Sequence, residues 1–252
     1  MIPAERQKKI LNLIQQKSIA SISELTDLLN VSHMTIRRDI QKLEDDGKVV
    51  SVSGGVQLLE RLSVEPTHDD KSQLFQPQKE AIGIYAAQMI PPNHTIYLDA
   101  GTTTLAIAHQ LVDRSDLLII TNDFAIADFL MKYGKSELIH IGGSVNKSNR
   151  SSVGELAAQF LRNLSIDIAF ISTSSWNLKG LTTPNENKIP VKKAIIQSST
   201  KNVLVSDSSK YGKVATFLLF GLNTFDYIIC DKELIEYAQD AINEMEVELI
   251  LV

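Results

Sequence analysis

Val31-Ser32-His33-Met34-Thr35-Ile36-Arg37-Arg38-Asp39-Ile40 decides the fold of the N-terminal region, read with residues 21–30 before it and 48–56 after it. Ser21 and Glu24 stand at capping-box spacing, which predicts that Ser21 caps a short helix carrying Ile22, Leu25, Leu28 and Leu29 at helical intervals. Asn30 tolerates the left-handed backbone of a tight turn, and Ser32 is a good N-cap for a second helix. In that second helix Ile36, Ile40 and Leu43 form a narrow inward stripe, and every other position is expected to point outward. Gly47 is predicted to close it, and residues 48–56 alternate like two short strands around a glycine turn. The expectation is a winged helix-turn-helix.

Two arginines on an exposed helix are, on their own, a solvated face. Here Ser32, His33, Thr35, Arg37, Arg38 and Lys42 supply the hydrogen-bonding and cationic groups that read base edges and grip phosphates from the major groove. Cap, turn, stripe, cations and wing follow in consistent order. The pattern V-S-x-x-T-I-R-R-D-I-x-x-L-E-x-x-G over residues 31–47 resembles the N-terminal signature of DeoR-type bacterial transcriptional regulators.

The chain has 252 residues, 44% hydrophobic and 22% charged, enough for a small domain and a larger one. Cys230, the single cysteine, lies in an apolar run and reads as a packing residue, so no intrachain disulfide is possible. The N-terminus lacks an apolar signal core and no stretch is long enough for a membrane span, which predicts a cytoplasmic protein. Net charge is -5, against non-specific coating of nucleic acid, yet residues 1–56 hold eight Lys or Arg against seven Asp or Glu. The cations are therefore local, as on a binding helix of an acidic regulator. Residues 4–17 are amphipathic and should pack behind the two helices, with Lys8 and Lys9 near the phosphate backbone.

Residues 58–74 lose periodicity and read as a linker between a domain over 1–57 and one over 75–252. From residue 79 onward, helices near 79–89, 104–111, 124–133, 155–164 and 191–198 and one from 233 alternate with strands near 95–99, 117–120, 138–141, 168–171, 203–205, 227–229 and 247–250. Such alternation predicts an α/β domain with a mostly parallel sheet covered on both faces.

Asp99-Ala100-Gly101-Thr102-Thr103-Thr104 sits where a strand ends and a helix begins, at the edge where open α/β sheets bind ligands. Gly101 permits close backbone approach, the threonines offer hydroxyls, and the helix N-terminus favours an anion. The bland alternative is a helix cap. Thr121-Asn122-Asp123 and Gly142-Gly143-Ser144 follow the next two strands, and Lys210 in residues 207–212 reaches the same edge, where an ammonium could pair with a phosphate or carboxylate. No metal-ligand spacing is present and no cofactor is expected.

The second half is similar to the sugar-phosphate-sensing domain of DeoR-type regulators, whose fold resembles ribose-5-phosphate isomerase and glucosamine-6-phosphate deaminase. The matching residues are 98–104, 121–122, 141–143, 152–154, 180–182 and 207–212. The resemblance implies that Asp99 to Thr104, Gly142, Gly143 and Lys210 line an effector pocket, with Arg150 a further candidate. Two positions depart from the family. Lys71 stands where an arginine is common, which loses bidentate anion geometry. Pro190 stands where a glutamate often precedes Val191-Lys192, and Glu186 is the nearest upstream carboxylate.

The expected function is a repressor of a carbohydrate or sugar-acid catabolic operon, with operator double-stranded DNA and a phosphorylated sugar or sugar-acid effector as partners. Binding to repeated or palindromic half-sites implies a homo-oligomer, a dimer or tetramer. The competing reading is an isomerase- or deaminase-like enzyme with an appended DNA-binding module, but His33, His68, His94, His109 and His140 are scattered and no proton-transfer pair is evident. A third is a sheet domain used only for oligomerisation, against which the loop at 99–104 counts.

Overall fold

The computed structural model describes residues 1–17, 19–52 and 54–252. Helix α1 (Pro3–Lys17), strand β1 (Ile19–Ser21), α2 (Ile22–Leu29), α3 (His33–Asp45), β2 (Val49–Val52) and β3 (Gly55–Leu58) form the N-terminal domain. The capping logic of the sequence holds: Ser21 Oγ accepts from the Glu24 N–H at 3.0 Å, Ser32 Oγ accepts from the Thr35 N–H at 3.3 Å, and Asn30 takes φ 51°. The box at Ser21 is half made, because the Glu24 carboxylate turns to Lys17. β2 and β3 pair antiparallel as the wing, and β1, which apolar periodicity did not reveal, adds a third strand along β3. Ser53, placed by the sequence in the wing turn, lies outside the described residues. Ile10, Ile14, Leu25, Ile36, Ile40, Leu43, Val49 and Val56 make the core.

The connecting stretch is more ordered than its fading periodicity suggested. It holds β4 (Glu60–Leu62) and α4 (His68–Gln73), the latter fixed by a reciprocal capping box between Thr67 and Asp70.

In the C-terminal domain come α5 (Gln76–Gln88), β5 (Thr95–Leu98), α6 (Thr102–Gln110), β6 (Leu118–Thr121), α7 (Phe124–Tyr133) and β7 (Glu137–His140). A hairpin of β8 (Ser144–Asn146) and β9 (Ser151–Val153) follows, then α8 (Glu155–Leu161), β10 (Ile166–Ser172), β11 (Ser175–Asn177), β12 (Gly180–Thr183), α9 (Lys188–Ser198) and β13 (Ser199–Val205). β14 (Lys213–Ala215), β15 (Phe217–Phe220), β16 (Tyr227–Cys230), α10 (Glu236–Asn243) and β17 (Glu248–Leu251) complete it.

Seven parallel strands form the central sheet in the order β17-β16-β13-β10-β5-β6-β7. Alternate side chains serve its two faces. Ile96, Leu98, Phe170, Val203 and Val205 pack with Ile82, Ile107 and Ile126 on one side, while Tyr97, Ala169, Ile171 and Leu204 pack with Leu161, Val191 and Ile195 on the other. Cys230 is buried in this second layer, where burial pushes its thiol well above the ordinary range. Close helix packing requires Gly83, since a Cβ there would stand 2.7 Å from the Ala106 carbonyl.

From β5 the chain steps outward through β6 and β7, then returns to the other side of β5 at β10 and proceeds through β13, β16 and β17. The winding direction thus reverses between β5 and β10. The crevice outside the carboxyl ends of these two strands is the place where such sheets take ligands.

The two domains are joined by more than a tether. β4 pairs in parallel with β14, Val50 of the wing belongs to the hydrophobic cluster that contains Tyr211, and a Cβ on Gly212 would meet Val50 Cγ1 at 3.1 Å. At the tip of the β11–β12 hairpin, Lys179 Nζ donates to the carbonyls of Asp45 at 2.7 Å and Glu44 at 3.3 Å, a cation on the C-terminal end of α3.

Candidate functional site

On α3, Ile36, Ile40 and Leu43 are buried and hold the helix against α1 and α2. His33, Arg37, Arg38 and Lys42 are exposed, as is Ser32, while Thr35 is half-buried and shares a 3.0 Å hydroxyl contact with Ser32. None of Arg37, Arg38 and Lys42 is drawn into an ion pair among the described residues, which leaves their charges available to an external anion. One expectation needs correcting. Asp39 does not point outward: its side chain is buried and is gripped by Arg6 of α1 through Nε and Nη2, with Gln7 donating at 3.3 Å. The fork of a guanidinium matches a carboxylate in this way, so Arg6 and Asp39 set the angle at which α3 leaves the body of the domain.

The second candidate region is a cleft, open to solvent at its mouth, at the carboxyl ends of β5, β10 and β13. Ala100 to Thr103, Ser172 to Ser174, Thr182, Thr183 and the lysines 71, 188, 192 and 210 line it. At its floor the buried Asp99 carboxylate accepts from Lys192 Nζ, and from the Ser172 N–H and hydroxyl at 3.0 Å each. Burial pushes the Lys192 ammonium pKa down, and Asp99 opposes that shift. Gly101 is required by close approach, because a Cβ there would stand 2.9 Å from Ser172 Oγ. Its N–H is already taken by Asp123 Oδ2 at 3.0 Å, so it is the first turn of α6 at Thr102 and Thr103 that faces the cleft. Asp123 also caps α7, and burial raises its carboxyl to about 6 against the N–H groups of Ile126, Ala125 and Gly101. Lys210 Nζ lies 3.0 Å from Asp207 Oδ2 and donates to Thr103 Oγ1 at 3.3 Å.

Across the cleft, Glu65 enters from the interdomain segment. Its Oε1 accepts from Lys71 Nζ at 2.7 Å and its Oε2 from Lys188 Nζ at 2.5 Å, and Lys71 donates also to Asn149 Oδ1 at 2.5 Å. Burial alone would raise the Glu65 carboxyl, but the ammonium groups of Lys188 and Lys71 outweigh it and hold the group at about 2. Lys71 is pushed below the ordinary lysine range, since burial and the nearby Lys188 and Lys210 charges exceed the attraction of Glu65. A carboxyl depressed from 4.5 to about 2 contributes stability that is present above pH 4.5 and lost as pH falls toward 2. The contribution is at most about 3 kcal/mol. Glu65→Gln is therefore expected to lower stability at neutral pH and to flatten the acid limb of the stability profile, as read by urea unfolding at successive pH values; an unchanged acid limb would refute the assignment.

Gly101, Thr102, Thr103 and Lys210 are thus brought together. Asp99 lies directly beneath, turned toward Lys192, and Thr104 is fully buried with its hydroxyl donating to the carbonyls of Asp99 at 2.5 Å and Gly101 at 2.8 Å. Gly142 and Gly143 lie at the β7–β8 turn and not among the lining residues, and Arg150 is exposed, at φ 50°, in an ion pair with Asp69 at 2.9 Å. Sequence reasoning missed Glu65, Lys188, Ser172 and Thr182–Thr183 as cleft residues. Thr182 left a trace within the family-matching stretch 180–182, and Lys192 left one through the departure at Pro190, two positions before it. Among the described residues no group of three or more His, Cys, Asp or Glu is placed to hold a metal ion, and no helix is long and apolar enough to cross a membrane.

A winged helix with exposed cations on α3, docked on a parallel α/β domain with a ligand-type crevice at its switch point, defines a two-domain DNA-binding regulator. Residues 6–61 match the DeoR-like helix-turn-helix domain and residues 75–232 the DeoR C terminal sensor domain. The chain is 69% identical over 252 residues to an uncharacterized HTH-type transcriptional regulator of Haemophilus influenzae, covering 100% of this chain and 98% of that one. It is 53% identical over 251 residues to the uncharacterized HTH-type transcriptional regulator YgbI of Escherichia coli, covering 100% and 98%. It is also 30% identical over 232 residues to the glycerol-3-phosphate regulon repressor of Escherichia coli, covering 92% of each. Among solved structures, ribose 5-phosphate isomerase A of Methanocaldococcus jannaschii is similar over 53% of each chain, at 17% identity and a TM-score of 0.39. The chain belongs to the DeoR family. It is a DNA-binding transcriptional regulator.

Proposed function

We propose that the protein is a repressor of a carbohydrate or sugar-acid catabolic operon, released from its operator by a phosphorylated sugar or sugar acid. Ser32, His33, Thr35, Arg37, Arg38 and Lys42 read and grip double-stranded operator DNA. The phosphate of the effector sits at the N-terminus of α6, against Thr102, Thr103 and Lys210. What carries this reading is the cleft itself: the N-terminus of α6 at Thr102 and Thr103 and the ammonium of Lys210, which donates to the Thr103 hydroxyl, meet at the sheet's switch point, in the same chain as exposed helix arginines that make no ion pair among the described residues. A relative named for a glycerol-3-phosphate regulon supports a phosphorylated ligand. Operators with repeated half-sites call for a homo-oligomer, a dimer or tetramer, acting in the cytoplasm where the operator is.

The test begins with thermal stabilisation by a panel of phosphorylated sugars and sugar acids. A ligand at 100 times its Kd adds about 2.7 kcal/mol if it binds the folded state alone. Thr103→Val, which keeps shape and removes a hydroxyl, and Lys210→Ala, which removes the cation, are each expected to weaken the best ligand about tenfold or more by calorimetry. Equal affinity in wild type and both variants would move the pocket elsewhere.

A further inference from the structure

The cleft contains two cationic ends with different occupants. At one, Lys210 meets Thr103 and Asp207 beside the start of α6. At the other, Lys71 and Lys188 share one carboxylate, that of Glu65, one oxygen each. All three groups are largely buried, with side-chain exposures of 13%, 12% and 14%. Glu65 does not come from the sheet domain's own strands. It hangs from the segment between β4 and α4, the segment that leads from the wing.

We propose that the Lys71–Lys188 pair is a carboxylate subsite, that Glu65 is its tethered occupant, and that the effector is a phosphorylated sugar acid whose own carboxylate displaces Glu65. The inference rests on the reading that the effector's phosphate binds at Thr102, Thr103 and Lys210.

The physical case lies in what each class of ligand would leave behind. A ligand carboxylate repeats the charge and planar shape of the Glu65 group, so exchange leaves neither buried ammonium unpaired. A sugar phosphate ending in a hydroxyl cannot do this. It must bind with Glu65 still in place, or leave two buried cations facing a neutral group. A site built for a particular polar group discriminates strongly against a ligand lacking it. Because Glu65 is tethered, it competes at an effective concentration on the order of millimolar, which lowers the apparent affinity of an acid phosphate and narrows its advantage over a ligand that leaves Glu65 in place. Displacement releases the side-chain anchor of the stretch between β4 and α4, next to the β4–β14 pairing through which the chain leads back to the wing.

The experiment is calorimetry on the full-length protein with matched ligand pairs that differ only in a terminal carboxylate against a hydroxymethyl group. The pairs are 3-phosphoglycerate and glycerol 3-phosphate, 4-phosphoerythronate and erythritol 4-phosphate, and 6-phosphogluconate and glucitol 6-phosphate, so that chain lengths from three to six carbons sample the reach. At the best-fitting length the acid phosphate is expected to bind the wild type tighter than its alcohol partner, and the gap to widen to at least about tenfold in Glu65→Gln. Glu65→Gln is expected to tighten the acid phosphate by about tenfold, and Lys188→Met to abolish the preference while alcohol phosphates still bind. The wild-type comparison needs no variant to fold. Acid and alcohol phosphates binding equally at every length would overturn the subsite and leave the phosphate reading standing. Weaker acid binding by folded Glu65→Gln would overturn Glu65 as a competitor. No binding by any of the six would overturn the phosphate reading and the subsite together.

Discussion

Asp99→Ala is expected to destabilise the sensor domain by about 3–5 kcal/mol, the usual cost of removing one partner from a buried ion pair. Asp99 is 2% exposed, and its carboxylate is the acceptor for Lys192 Nζ, the Ser172 N–H and the Ser172 hydroxyl. Its removal strands an ammonium whose only other partner among the described residues is the Ser172 carbonyl at 2.5 Å, and it opens a void at the β5–β10 junction. Asp99→Ala combined with Lys192→Met is expected to recover much of the loss, because the desolvated charge then disappears with its partner. Urea unfolding of wild type, both single variants and the double variant checks this. A loss under about 1 kcal/mol in Asp99→Ala would mean that water reaches Lys192 and that the pair is not the cornerstone of the cleft.

Arg37→Ala with Arg38→Ala is expected to have the largest effect on operator binding. If either arginine reads a guanine, its loss costs roughly 1–3 kcal/mol and relaxes specificity at one base pair. If either grips a phosphate, binding weakens for all sequences and the slope of log affinity against log salt falls by about 1. Measuring the singles and the double over a range of salt separates the two roles. The double variant folds as the wild type in this account, because both side chains are exposed and outside the core of Ile36, Ile40 and Leu43. Unchanged operator affinity in the double variant would remove α3 as the reading helix.

The seven strands of the central sheet were legible because parallel strands buried on both faces read as short apolar runs. β10, with Ile166, Ile168, Ala169, Phe170 and Ile171 all buried, is the clearest. Local capping was legible for a similar reason, since Ser21, Asn30 and Ser32 act on neighbours within three residues. What stayed hidden depends on chain segments meeting from afar. Asp39 reads as an outward helix residue until Arg6, 33 positions earlier, is placed against it. Glu65 lies 123 positions from Lys188 and sits in a stretch whose polarity suggested a plain linker. The short antiparallel sheet of β11, β12 and β15 carries Thr182 and Thr183 to the cleft, yet it has too few residues for periodicity to register. Arg150 went the other way: the family resemblance pointed to it, but its backbone and its pairing with Asp69 direct it to solvent.

Lys179 on the carbonyl end of α3, Val50 against Tyr211 and Gly212, and β4 alongside β14 place the cleft and the reading helix in one connected structure. In the proposed repressor, occupancy of the cleft and binding of the operator are linked. An inducing effector must bind the DNA-free state more tightly, and operator DNA must then weaken effector binding by the same factor. The most direct measurement is a pair of titrations, of operator at saturating effector and of effector at saturating operator, with the acid phosphate of highest affinity as the probe. Reciprocal weakening by one common factor, roughly 5- to 150-fold, is expected. Tight binding of the ligand with operator affinity unchanged would contradict it.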